Sequence, residues 1–217
     1  MKRLFIIVEG QTEESFVKEL LIPFFSQHGI YDVRPILIQT SEGHKGGFVN
    51  YNHLRNDLLK LLKSQGQDMI VTTFVDFFRC PDVPKQKEID LLTSHLEKIE
   101  AMENSIASDI NDWRFIPYIQ LHEFEALLFS SVRGFEMYFD ENISNEIKAI
   151  IDAFDNPEDI NSSPETAPSK RLMRIIPGYD KVLFGNIIAL ENGLSLVLEK
   201  CPRFQTWIDT LIHRCKE

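Results

Sequence analysis

Apolar positions along the chain fall into two kinds of pattern. Leu4 to Val8 is a continuous apolar run rich in β-formers, as expected of a strand buried on both faces. Met69 to Val75 reads as a second buried strand of this kind, and Val33 to Ile38 and Arg114 to Leu121 add two more. Between them the spacing becomes helical. Thr12 is a fair N-cap for a helix from Glu13 to Gln27. The segment from Asn52 to Ser64 puts Leu54, Leu58, Leu61 and Leu62 on one face, and Glu88 to Asn111 carries a long helical pattern. Glu123 to Glu217 shows only helical periodicities, broken at Asn156 to Pro168, at Pro177 and at Pro202. Strands alternating with helices predict an α/β fold: a mainly parallel four-stranded sheet flanked by helices, with a helical C-terminal part. We divide the chain into an α/β core over 1–130 and a helical extension over 131–217 packed on that core. No internal repeat or low-complexity tract is visible.

Length and composition fit this picture. The chain has 217 residues, 43% hydrophobic and 26% charged, ordinary values for a globular protein. The charge balance changes the functional expectation. Lys and Arg number 23 against 33 Asp and Glu, a net charge of −10, whereas a protein that grips DNA unaided carries a basic face. A partner that supplies the grip, metal ions that neutralise carboxylates, or a substrate other than nucleic acid would each account for the acidity. The three cysteines, Cys80, Cys201 and Cys215, form no CxxC pair, which suits reduced thiols in the cytoplasm. The apolar run after Met1-Lys2-Arg3 is too short for a signal peptide and ends in Glu9. No apolar stretch approaches the roughly 20 residues of a membrane span. We therefore expect a cytoplasmic protein without a membrane partner.

In open parallel sheets, sites form outside the carboxyl ends of the strands. The first strand ends in Val8-Glu9-Gly10, the third in Val75-Asp76-Phe77 and the fourth in Leu121-His122-Glu123-Phe124-Glu125. Three of four predicted strands thus release an acidic residue at one edge. Carboxylates crowded there would raise one another's pKa, and a divalent cation removes that conflict. Hard oxygen ligands suit Mg²⁺ or Mn²⁺. Glu13 lies four residues after Glu9 and, in a first helical turn, would face the same edge; Gly10 would let the chain turn without a Cβ beside the ions. The plainer alternative is that acidic residues begin helices because they favour the positive end of the dipole. Glu125 is divided between ligand and solvated helix residue.

Val8-Glu9-Gly10-Gln11-Thr12-Glu13 resembles the first motif of Toprim domains, found in topoisomerases, primases and overcoming-lysogenization-defect (OLD) nucleases. Val8 to Phe16, Thr72 to Pro81 and Arg114 to Phe129 together resemble an uncharacterised Toprim-like family of bacterial proteins, with His122-Glu123-Phe124-Glu125-Ala126 the most specific part. Pro168-Ser169-Lys170-Arg171-Leu172 and Cys201 to Trp207 are similar to it too. The resemblance implies a Toprim-like sheet and a metal-dependent nuclease, acting on DNA. Glu9 and Asp76 match the Toprim glutamate and first aspartate; Glu13, Glu123 with Glu125, and Lys170 match the further acidic residues and the lysine of OLD-type nucleases. It further implies an ATPase encoded nearby and a role in phage defence, and leaves a homodimer open. The chain departs from the pattern at Phe78, which stands where Toprim domains carry a second aspartate. A non-catalytic subunit that binds metal or a partner is the alternative this departure favours.

In the expected mechanism Glu9, Asp76, Glu123 and Glu125 hold metal, Glu13 is a second-site ligand or orients a bound water, and Lys170 or Arg171 meets the phosphate. Gly43-His44-Lys45-Gly46-Gly47 could cradle a phosphate with backbone amides, so Lys45, Gly46 and Gly47 join Arg171 as candidate substrate contacts. It is not a Walker A loop, and a surface loop is the simpler reading. His122-Glu123 is not the H-E-x-x-H zinc motif, because Ala126 stands at the last position.

Overall fold

The computed structural model describes the chain apart from Met1, Glu42, Gly43, Gly46, Gly47, Val49, Gln65, Arg79, Ser162 and Ser163; for Gln39, Thr40, Ser41, His44, Lys45 and Pro164 it describes the backbone alone. β1 (Arg3–Val8) leads into α1 (Gln11–Phe16), a π-helical turn (Val17–Leu21) and α2 (Ile22–Gln27). Pro23 explains the π turn: it offers no amide to the preceding turn, so the hydrogen-bond ladder shifts there. β2 (Val33–Leu37) and an antiparallel pair, β3 (Gln39–Ser41) with β4 (His44–Lys45), precede α3 (Tyr51–Ser64) and β5 (Met69–Asp76). The long helix predicted over Glu88–Asn111 is instead two, α4 (Gln86–Ile89) and α5 (His95–Ile110). Ser94 starts α5 with a reciprocal capping box to Glu97, which fixes a helix start inside the periodic run.

The predicted fourth strand is broken in two. β6 (Phe115–Ile116) and β7 (Ile119–Gln120) both pair with β5, in one continuous register: Thr72 lies against Ile116 and Val75 against Ile119. The interruption falls at Tyr118, whose amide turns to a side chain of β5 instead of its backbone. The Thr73 hydroxyl fills the gap, donating to the Tyr118 carbonyl and accepting from the Tyr118 amide, both at 2.8 Å. The sheet order is β2-β1-β5-β6 with β7 beside β5, and every pair in it is parallel.

After β7 the chain is helical: a 3₁₀ segment (Phe124–Ser130), α6 (Arg133–Glu136), α7 (Glu141–Ile151), short 3₁₀ turns at Pro157–Asp159 and Pro164–Thr166, α8 (Pro168–Ile175), α9 (Lys181–Asn192), α10 (Leu194–Lys200) and α11 (Pro202–Lys216). One face of the sheet packs on α3 and α5 through Ile7, Val71, Leu58 and Ile106. The other carries α1, α2 and the C-terminal helices, in a core that runs unbroken from Leu4 and Ile6 to Phe204, Trp207 and Cys215. Trp207 is buried, and its indole donates to Thr72 Oγ1 of β5 at 2.8 Å. Among the described residues no single helix is long and apolar enough to cross a membrane.

Candidate functional site

The site is built where β1, β5 and β7 end. Glu9 follows β1, and its Oε2 lies 3.4 Å from the Asp76 amide at the end of β5. Asp76 Oδ1 accepts from the Phe124 amide at 2.8 Å, which ties β5 to the segment after β7. Gly10, not Thr12, caps α1: its carbonyl accepts from the Glu14 amide at 3.0 Å. Its backbone is extended (φ −143°), so the turn itself does not require glycine. The missing side chain does matter, because a Cβ there would stand 3.0 Å from Glu13 Oε2.

Glu13 and Glu125 are buried, at 8% and 2% exposure. Burial first, then Glu9 and Glu125, pushes the Glu13 carboxyl up to about 7. Burial also raises Asp76 well above the usual carboxylate range, with Glu13, Glu9, Glu125 and Glu123 adding to it. Asp76 is thus the electrical centre of five carboxylates. Glu123 Oε2 accepts from the Ser169 amide at 2.9 Å, in the first turn of α8. Glu125 Oε1 lies 2.8 Å from Lys181 Nζ, while its buried Oε2 has no hydrogen-bond partner. Glu158, another buried acid, belongs elsewhere: it caps α11 by accepting from the Arg203 and Phe204 amides.

Glu9, Glu13, Asp76, Glu123 and Glu125 therefore come together. Lys170 does not join them; it is exposed on α8, one residue past Ser169. Arg171 turns away, its Nε donating to the Thr166 carbonyl at 2.8 Å and its guanidinium 5.7 Å from the Phe154 ring centre. Gly46, Gly47 and the Lys45 side chain lie outside the described residues. Phe78, at the position of the missing acid, stacks on His122 with ring centres 5.3 Å apart. His122 adopts φ +67°, a left-handed conformation that costs a non-glycine residue about 1–3 kcal/mol. Its imidazole is held down to about 4 by burial, with His95 alongside.

Lys181 is the cation missed in the sequence. It is the first residue of α9, capped by Asp180 through the Leu183 amide. A lysine at a helix N-terminus opposes the dipole, and that mismatch was the available signal. The donor chemistry fits a hard divalent cation: four glutamates gather about Asp76, and Glu125 Oε2 is buried without a donor. In the present side-chain arrangement no three acidic, histidine or cysteine groups among the described residues converge closely enough to hold an ion. Asp76, Glu123 and Glu125 are engaged by Phe124, Ser169 and Lys181 instead. A cavity of about 490 Å³, between α5, Pro117 and α11, is lined by none of the five.

Residues 8–212 match the family model described as "Domain of unknown function (DUF4276)". The chain belongs to this family. For this DUF4276 chain, no curated protein matches. Its structure resembles the C-terminal region of the Xanthomonas campestris pv. campestris OLD protein, with TM-score 0.47, 14% identity and coverage of 100% of this chain and 97% of that one. The corresponding region of the Burkholderia pseudomallei OLD protein gives TM-score 0.47, 16% identity and coverage of 98% and 99%. Similarity at this level does not extend to chemistry.

Proposed function

We propose that the protein is a metal-dependent phosphodiesterase acting on nucleic acid, with DNA as the expected substrate. The observation that carries the reading is the gathering of Glu9, Glu13, Glu123 and Glu125 about Asp76 at the carboxyl end of the sheet, with Lys181 bonded to Glu125. Glu9, Asp76, Glu123 and Glu125, with Glu13, are the residues that would hold Mg²⁺ or Mn²⁺. When bound, the ion would supply Lewis acidity at a phosphoryl oxygen and lower the pKa of water. The chain's own groups supply the rest. Glu13, buried beside Gly10, would serve as a further ligand or orient a water. Lys181, at the cluster, is suited to meet charge developing on the phosphate. Lys170, exposed beside Ser169, would contact the polynucleotide backbone; Lys45, Gly46 and Gly47 remain proposed substrate contacts, and Arg171 would join them only by leaving the Thr166 carbonyl. The net charge of −10 opposes unaided binding to a polyanion, which favours a partner that supplies the grip; that this partner is an ATPase and the setting phage defence follows from the sequence resemblance alone. A cytoplasmic setting and a homodimer belong to the same reading.

The second reading, a subunit that binds metal or a partner without cleaving, draws on Phe78, whose ring is stacked on His122 where an acid would stand. Supercoiled plasmid and a single-stranded oligonucleotide incubated with Mg²⁺, Mn²⁺ or EDTA separate the two. We expect metal-dependent cutting, with a loss of about 100-fold or more in Glu9→Gln, since even the partners of metal ligands are worth about 10–100-fold. Cutting that survives Glu9→Gln sinks the site assignment. Metal binding without cutting, with or without the ATPase partner, selects the second reading.

A further inference from the structure

A tyrosine hydroxyl lies beside the carboxylates with nothing to bond. Tyr179 OH is buried and has no hydrogen-bond partner. It would stand 3.8 Å from a Cβ on Gly185, a point that is also 3.2 Å from Thr12 Cγ2 and 3.4 Å from Phe124 Cε1. The hydroxyl therefore sits in the seam where α9 meets α1 and the 3₁₀ segment, the elements that carry Glu13 and Glu125. Burial raises the phenol, and Glu125 and Glu123 raise it further, so it keeps its proton. Across the same site Glu125 Oε2 is an acceptor without a donor, because Oε1 alone holds Lys181. Leaving a buried donor and a buried acceptor unpaired costs stability, and each such pair of atoms calls for a use.

We propose that Tyr179 is a positioning residue of the carboxylate site, whose hydroxyl donates to Glu125 Oε2 and orients that carboxylate when metal is bound. The inference rests on the metal-site reading above. It puts on one turn, Pro177 to Lys181, both groups that address Glu125: the ammonium on one oxygen and the phenol on the other.

Tyr179→Phe removes the hydroxyl and keeps the ring. In metal-free protein its Tm should equal or exceed that of the wild type, since no bond is lost and an unpaired polar atom is removed. Its Mn²⁺ affinity by calorimetry should fall about tenfold, as for other groups that orient a ligand, and kcat for the oligonucleotide should fall with KM unchanged. Phe184→Leu is the control: it loosens the ring stacked on Tyr179 at 6.0 Å but leaves the hydroxyl, so Tm should drop and Mn²⁺ affinity should hold. Full Mn²⁺ affinity in Tyr179→Phe overturns the inference and leaves the metal site standing. A lower Tm shared with an equal loss of affinity in Phe184→Leu assigns Tyr179 to packing and overturns it too. A wild-type protein that binds no Mn²⁺ overturns the metal-site reading and this inference together.

Discussion

Burial, with Glu9 and Glu125 alongside, sets the Glu13 carboxyl at about 7 against an ordinary 4.5. An acid raised in this way stabilises the fold below its ordinary value, and the stabilisation is lost as pH rises through about 7. From pH 5.5 to pH 7.5 (values set by the roughly 4.5 to 7 window), metal-free wild type should therefore lose more melting temperature, or gain less, than metal-free Glu13→Gln. His122, held down to about 4, contributes with the opposite sign over this range, so the test is the difference between the two proteins: equal slopes in wild type and Glu13→Gln would show that Glu13 is not held as described. At this scale the sequence was informative where chemistry is local. Glu9, Asp76 and Glu123 each close a strand, so their shared edge could be read from strand ends alone. Tyr179 and Lys181 come from a helix start more than fifty residues after Glu125, and no spacing rule links them to it. Lys170 looked the better cation because its motif was recognisable; Ser169, its neighbour, is what reaches the site, through its backbone amide.

Helix packing in the second half depends on close approach. A Cβ on Gly134 of α6 would stand 2.5 Å from the Ile188 carbonyl of α9 and 2.8 Å from Asn192 Oδ1. Asn192 Oδ1 also accepts from the Gly134 amide at 2.9 Å, and its Nδ2 donates to the Leu128 carbonyl. Gly134→Ala should cost about 1–3 kcal/mol by overpacking, or a Tm loss of about 2–4 °C per kcal/mol for a chain of this size. Unchanged melting would mean that α6 and α9 are not so closely held. Elements with one dominant signal were legible: β1 and β5 as apolar runs, α3 from its leucines. The two misread elements each contained two signals in competition. Ser94 and Glu97 write a helix start within a periodic stretch, and the strand past Pro117 is interrupted at Tyr118 although its register continues.

Across the whole molecule, the α/β part and the C-terminal helices share one apolar core: Phe16, Phe74, Phe124, Phe204 and Trp207 pack ring against ring beneath the carboxylates. A fragment over 1–130 would expose that face of the sheet. We expect it to lack a cooperative thermal transition and near-ultraviolet dichroism, whereas the full chain shows both; a fragment that melts cooperatively would make the α/β part self-sufficient. The sheet's two outer strands have a further property in common. β2 carries Pro35, opposite Ile6, and the strand formed by β6 and β7 carries Pro117 between its two parts. A proline in an outer strand removes an outward donor that a foreign strand would need. Both flanks are thus closed to strand addition, so a sheet with two central strands of high β-propensity is guarded against stacking edge to edge into aggregates.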